Sequence, residues 1–110
     1  IERFNAIADG WDDDPRKVLM AQKLARAMLA ALEPGGQERA LEFGAGTGLA
    51  TLIMARKVAH VTALDSSAAM LAVLREKCKL KQLENIAIVE GTVPGDLPDA
   101  RYDLIYSSMV

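Results

Sequence analysis

The chain has 110 residues, 51% of them hydrophobic, which is enough for one domain with a small core and too little for two. Thirteen Lys and Arg stand against 15 Asp and Glu, interspersed to a formal charge of -2, so no basic face is set out for nucleic acid or an anionic membrane. Cys78 is the only cysteine, which excludes an internal disulfide and a structural zinc or iron-sulfur centre and makes a reducing cytoplasm the expected compartment.

No apolar run approaches the roughly 18 residues of a membrane span, and "IERFNAIADG" lacks a basic-then-apolar signal pattern. The chain therefore reads as soluble. Both ends read as cut, with Ile1 in place of an initiator Met and Val110 directly behind an apolar run.

In chain order, Phe4, Ile7, Ala8 and Trp11 share one helical face and predict a short helix with an aromatic side. "WDDDP" breaks it, and its acids fit capping better than metal binding because no second ligand cluster accompanies them. Asp14 before Pro15 is a helix start, since the carboxylate accepts from orphan backbone N–H groups and proline has none to waste. Met20, Leu24, Ala27, Met28 and Ala31 form the expected buried stripe, and "EPGGQ" ends the helix. From Arg39 the rhythm becomes short apolar runs alternating with helices. "ALEF" is strand-like, and Leu49, Leu52 and Ile53 open a helix ending near Val58. "HVTALD" is a second strand, with His60 as a solvated or edge residue. Ser66 or Ser67 caps a helix reaching Leu80, with Leu71, Leu74 and Cys78 inward, Cys78 as an inert buried thiol. "NIAIVE" and "YDLIYSS" supply two more strands. Strands apolar on both faces and separated by helices mean a parallel sheet covered on two sides.

The first strand runs into Gly44, Gly46 and Gly48, at the place where doubly wound sheets hold their ligands. Missing Cβ atoms let a backbone pass against a ligand, permit positive φ and aim N–H groups at an acceptor. The spacing discriminates. A dinucleotide fingerprint counted from Gly44 or Gly46 finds Leu49 or Thr51 where a third Gly or Ala belongs, and "GTGLAT" lacks the lysine of a P-loop. What stands is an acid, Glu42, two residues before a tighter G-x-G-x-G, which suits a ligand with a cationic group. Arg39 or a lysine could alternatively neutralise this acid, since a carboxylate inside a central strand is costly unpaired. Asp65, about 20 residues past the first glycines, lies at the offset where a carboxylate meets a ribose diol. It could also serve as a helix cap.

"LEFGAGTG", "VTALDSSAAML" and "ARYDLIYSS" resemble successive motifs of class I S-adenosylmethionine-dependent methyltransferases, in the branch containing ubiquinone- and menaquinone-biosynthesis enzymes, and "FNAIADGWDDDP" resembles that branch's N-terminal lid. The likeness spans most of the chain but only the cofactor half of the family's seven-stranded domain. It implies that Glu42 and Gly44, Ala45, Gly46, Thr47 and Gly48 surround the methionine portion, Asp65 holds the ribose, and Ser66 and Met70 line the adenine. Met70 is equally explained as packing. Family members often carry an acid after the glycine that follows strand three. Such an acid accepts from the adenine amino group; here Thr92 follows Gly91 instead, which leaves the reading of the adenine to a backbone N–H near Val93, while "VPGD" carries an extra residue before Leu97 and Pro98. Ser107 is expected to face the methionine end. "YSSM" replaces the Asp/Asn-Pro-Pro-aromatic sequence of enzymes that methylate nucleobase amines or glutamine amides.

The expectation is thus a three-layer Rossmann-like α/β domain with sheet order 3-2-1-4, cut before strands five to seven, comprising N-terminal helices (1–36, including a lid) and a core (37–110). It would bind S-adenosylmethionine, release S-adenosylhomocysteine, methylate a small molecule, use no metal and self-associate through an open strand-four edge. No triad or catalytic base is identified. The alternatives are a non-catalytic binder of the same nucleoside and a nicotinamide-dependent dehydrogenase, the latter disfavoured by the glycine spacing.

Overall fold

The computed structural model describes residues 14–92 and 101–107. The expected N-terminal aromatic helix of Phe4, Ile7, Ala8 and Trp11, and the site candidate Val93, lie outside the described residues. Helix α1 (Pro15–Leu32) is followed by β1 (Arg39–Phe43), α2 (Leu49–Ala55), β2 (His60–Asp65), α3 (Ala68–Leu80), β3 (Ile86–Glu90) and β4 (Leu104–Ser107). The strands form one parallel sheet in the order β3-β2-β1-β4, the expected α/β Rossmann-like arrangement.

Helix α1 starts as its sequence dictates, with Asp14 Oδ1 accepting the Arg16 N–H at 2.9 Å and proline in the first turn. Its inward face is only partly the expected stripe. Leu24 and Met28 are half-buried, but Met20 is 55% exposed and Ala27 and Ala31 are exposed, whereas Ala25 is fully buried and Val18, Ala21, Gln22 and Leu29 are half-buried. Both stripes obey helical spacing. The helix packs on α2, with Met28 and Leu29 against the core.

The crossovers β1 to β2 and β2 to β3 step the same way along the sheet, and α2 and α3 pack on residues of one face. Under them Ala40, Val61 and Tyr106 meet Met54, Ala55 and Val58, and Ala63 meets Leu71, Leu74 and Cys78. Leu41 and Leu64, whose positions alternate to the opposite face, are buried as well. Burial pushes the Cys78 thiol above its ordinary range, which keeps it protonated and inert. No helix among the described residues is long and apolar enough to cross a membrane.

Helix α2 stops at Ala55, three residues short of expectation. The Asn85 amide explains the early end, donating to the carbonyls of Ala55 at 2.7 Å and Ala59 at 3.3 Å, and so closing the loop. His60 also differs from expectation. Its strand lies between β1 and β3, so it is not at an edge, and it is half-buried with Nδ1 inaccessible and without a hydrogen-bond partner. Replacing Asn85 by Ala removes the clip and leaves the carbonyls of Ala55, Val58 and Ala59 to find water. An unfolding free energy lower by about 1–2 kcal/mol is expected in denaturant titration.

Candidate cofactor site

All four strands run in one direction, so their carboxyl ends converge on one edge, where β1 turns through Gly44, Ala45, Gly46, Thr47 and Gly48 into α2. Gly44, Gly46 and Gly48 all have positive φ, at 64°, 59° and 85°. Their reasons for lacking side chains differ. A Cβ on Gly46 would meet nothing within 4 Å, so the backbone there fronts open space. A Cβ on Gly48 would collide with the Leu74 side chain of α3. Gly48 is thus required by packing inside the protein as well as by its backbone angle, and not by a ligand's approach.

Three of the turn's N–H groups do not point outward as expected. Ala45 N–H donates to the Leu64 carbonyl at 3.1 Å and Gly48 N–H to the Ala45 carbonyl at 3.0 Å. Gly46 N–H donates to Asp65 Oδ2 at 2.8 Å. These three donors are therefore spent within the protein. Such a turn is poorly suited to a pyrophosphate, which needs donors, and well suited to a ligand presenting cationic or donor groups.

Asp65, at the tip of β2, points at the glycine turn and binds twice. Its Oδ1 accepts the Ser67 N–H at 2.8 Å while Oδ2 holds Gly46. A carboxylate has about four acceptor positions, so each oxygen keeps a lone pair for a further donor such as a hydroxyl. Asp65 is both helix-start ligand and turn anchor. Ser67, rather than Ser66, caps α3, its hydroxyl accepting the Met70 N–H at 3.2 Å. Ser66 is exposed beside it, and Met70 is 5% exposed. Gly91 N–H donates to the Asp65 carbonyl at 2.9 Å, bringing the exposed Thr92 next to the β2 tip. Across the turn, Ser107 pairs with Phe43 in register and its hydroxyl donates to the Phe43 carbonyl at 3.2 Å.

Glu42 is completely buried. Arg39 sits at the far end of β1, its backbone N–H on Asp103 Oδ2. Instead Glu42 Oε1 accepts two hydroxyls, Thr51 at 2.7 Å and Tyr106 at 3.0 Å. Two charge-assisted bonds on one oxygen offset part of the cost of burying the acid. Burial, then the charge of Glu42 and its hydrogen bond, push the Tyr106 hydroxyl well above the ordinary tyrosine range. Thr51 and Tyr106 were not among the expected site residues. Tyr106 could have been found from sheet order and register, since Glu42 and Tyr106 are direct neighbours on adjacent strands. Among the described residues no group of three His, Cys, Asp or Glu side chains could hold a metal.

With this geometry in hand, similarity to known proteins is informative. Residues 40–110 match the family model described as "Methyltransferase domain". The chain is 34% identical over 104 residues to a demethylmenaquinone methyltransferase of Tropheryma whipplei, covering 93% of this chain and 43% of that protein. It is 30% identical over 110 residues to protein-L-isoaspartate O-methyltransferase 1 of Rhodopseudomonas palustris, covering 94% of this chain and 44% of the relative. A solved DhpI–SAM–HEP complex superposes with a TM-score of 0.71 at 26% identity, covering 96% of this chain and 47% of that one. The chain spans less than half the length of these relatives. It belongs to the methyltransferase domain family, within the class I S-adenosylmethionine-dependent methyltransferases, whose cofactor is S-adenosylmethionine.

The two glycines separate in a substitution test. Gly46→Ala is expected to cost about 1–2 kcal/mol, the penalty of a Cβ in the left-handed region. Gly48→Ala adds overpacking against Leu74 and is expected to cost about 3 kcal/mol or more by denaturant unfolding.

Tyr106→Phe is expected to lower stability by about 1–3 kcal/mol at neutral pH by taking a donor from a buried carboxylate. The raised Tyr106 group keeps its proton in the fold, whereas in the unfolded chain it ionises near pH 10, so its stabilisation is present below that value and declines above it. The stability difference between wild type and Tyr106→Phe should therefore shrink as pH rises through about 10, as read by unfolding titrations across that range.

Proposed function

We propose that this chain carries the cofactor site of a methyltransferase acting on a small-molecule acceptor in the cytoplasm. The observation that carries the reading is the Asp65 carboxylate, joined to the Gly46 N–H at 2.8 Å and keeping acceptor capacity beside open backbone. In this reading Asp65 takes the ribose hydroxyls on its remaining lone pairs. Gly44 to Gly48 and the buried Glu42 line the methionine portion, where acceptors meet its ammonium group. Ser66, Met70 and Thr92 border the adenine, and Ser107 closes the methionine side next to Phe43.

The bound cofactor supplies an activated sulfonium methyl group. The chain's residues need only hold it and keep its methyl face open to an acceptor in line, so proximity supplies much of the rate. No protein nucleophile is required. Relatives bear names specifying a demethylmenaquinone, an isoaspartyl protein and a uracil of 23S rRNA as acceptors. A small molecule is favoured here by the lack of a basic face in a chain of charge -2 and by "YSSM" in place of an amine-gripping Pro-Pro motif. The rest of such an enzyme, adding strands beside β4, would build the acceptor pocket. A second copy pairing on the same edge is the alternative occupant, and Ile105 there is 59% exposed.

Calorimetric titration with S-adenosylhomocysteine tests the reading. Binding is expected for the wild type and none for NAD, and Asp65→Ala should weaken S-adenosylhomocysteine by about 100-fold or more, since it removes charge-assisted bonds and releases the turn together. Equal binding of NAD, or an Asp65→Ala variant with undiminished affinity, would overturn it. Methyl transfer by the full-length protein separates a catalyst from a binder.

A further inference from the structure

Lys77 lies on the third turn of α3, thirty residues from the glycine turn, and its Nζ donates to the Thr47 carbonyl at 2.9 Å. Lys79, two residues on, is exposed and takes the usual place of a basic residue near a helix end, while Lys77 is half-buried. The carbonyl it holds belongs to the peptide between Thr47 and Gly48. That peptide is a weak point. Rotating it changes φ of Gly48, and glycine tolerates either sign at little cost, so local sequence does not fix which way the carbonyl points.

Two contacts fix it from opposite edges. Gly48 N–H is bound to the Ala45 carbonyl at 3.0 Å, and the Thr47 carbonyl is bound to the ammonium group. One helical turn before Lys77, Leu74 fills the space where a Gly48 side chain would be. Helix α3 therefore holds the turn at adjoining points, apolar at Gly48 and charged at Thr47, while Asp65 holds it at Gly46.

We infer that Lys77 is a positioning residue for the cofactor turn, locking the Thr47–Gly48 peptide so that the turn is set before ligand arrives. The inference rests on the proposed function for its ligand but not for its structural core. A rotated peptide would turn the Thr47 carbonyl into the open side of the site and withdraw Gly48 N–H from Ala45. Binding would then have to restore the bound arrangement at the expense of affinity.

Lys77→Met keeps the aliphatic stem and removes the donor, and Lys77→Arg restores a cationic donor. Amide hydrogen exchange in ligand-free protein is expected to speed up about tenfold at Gly46 and Gly48 in Lys77→Met, with Val61 in the sheet unchanged. The affinity for S-adenosylhomocysteine should fall by about tenfold, with substantial recovery of both in Lys77→Arg. Unchanged exchange at the two glycines, exchange raised equally at Val61, or undiminished affinity in Lys77→Met would each overturn the inference. Should wild-type protein fail to bind S-adenosylhomocysteine, the proposed function falls, while the exchange comparison still decides whether Lys77 sets the turn.

Discussion

One carboxylate ties the glycine turn to the start of α3 at the carboxyl edge of the sheet. Asp65 ends β2, takes the amide of Gly46 on one oxygen and the amide of Ser67 on the other, and so ties the first strand-to-helix turn to the start of α3. Charge-assisted bonds to backbone N–H groups are among the stronger ones available, and here they fix relative position as well as energy. The glycine turn has little rigidity of its own, with three residues at positive φ. Its shape comes from its surroundings: the Leu64 carbonyl at Ala45, Asp65 at Gly46, and α3 at Thr47 and Gly48.

That arrangement also accounts for ligand preference in electrostatic terms. A turn whose amides are already bound to a carbonyl and a carboxylate has little positive potential to offer a phosphate. With Asp65 at its rim and Glu42 buried behind the end of β1, the surroundings are acidic and rich in acceptors. Glycine spacing and internal hydrogen bonding thus argue independently against a dinucleotide and for a nucleoside bearing positive charge.

Much of this was legible in the sequence because it depends on local rules. The Asp14–Pro15 helix start and the inward Leu71, Leu74 and Cys78 follow from periodicity and capping, while the strand order comes with the resemblance to the methyltransferase family. The α1 face was misread in part because two stripes fit the same period, and only contact with α2 distinguishes them. Glu42 could be flagged as a buried acid, but its partners could not be named. Thr51 is nine residues away and Tyr106 sixty-four, and only strand register brings Tyr106 alongside. Lys77 gave no signal, since a lysine near a helix end is ordinary until its ammonium is seen on a particular carbonyl.

The contact between Gly48 and Leu74 has a bearing on how this domain could be remodelled. The leucine occupies the volume that the glycine vacates, so the two positions share one space between the turn and α3. Any sequence that places a bulkier residue at 48 must both accept an unfavourable backbone angle and shorten the side chain at 74, and a trimmed residue at 74 would open a void in the cluster that also contains Ala63, Leu71 and Cys78. Redesign of the ligand-facing loop is therefore coupled to repacking of the interior, and the loop cannot be exchanged alone.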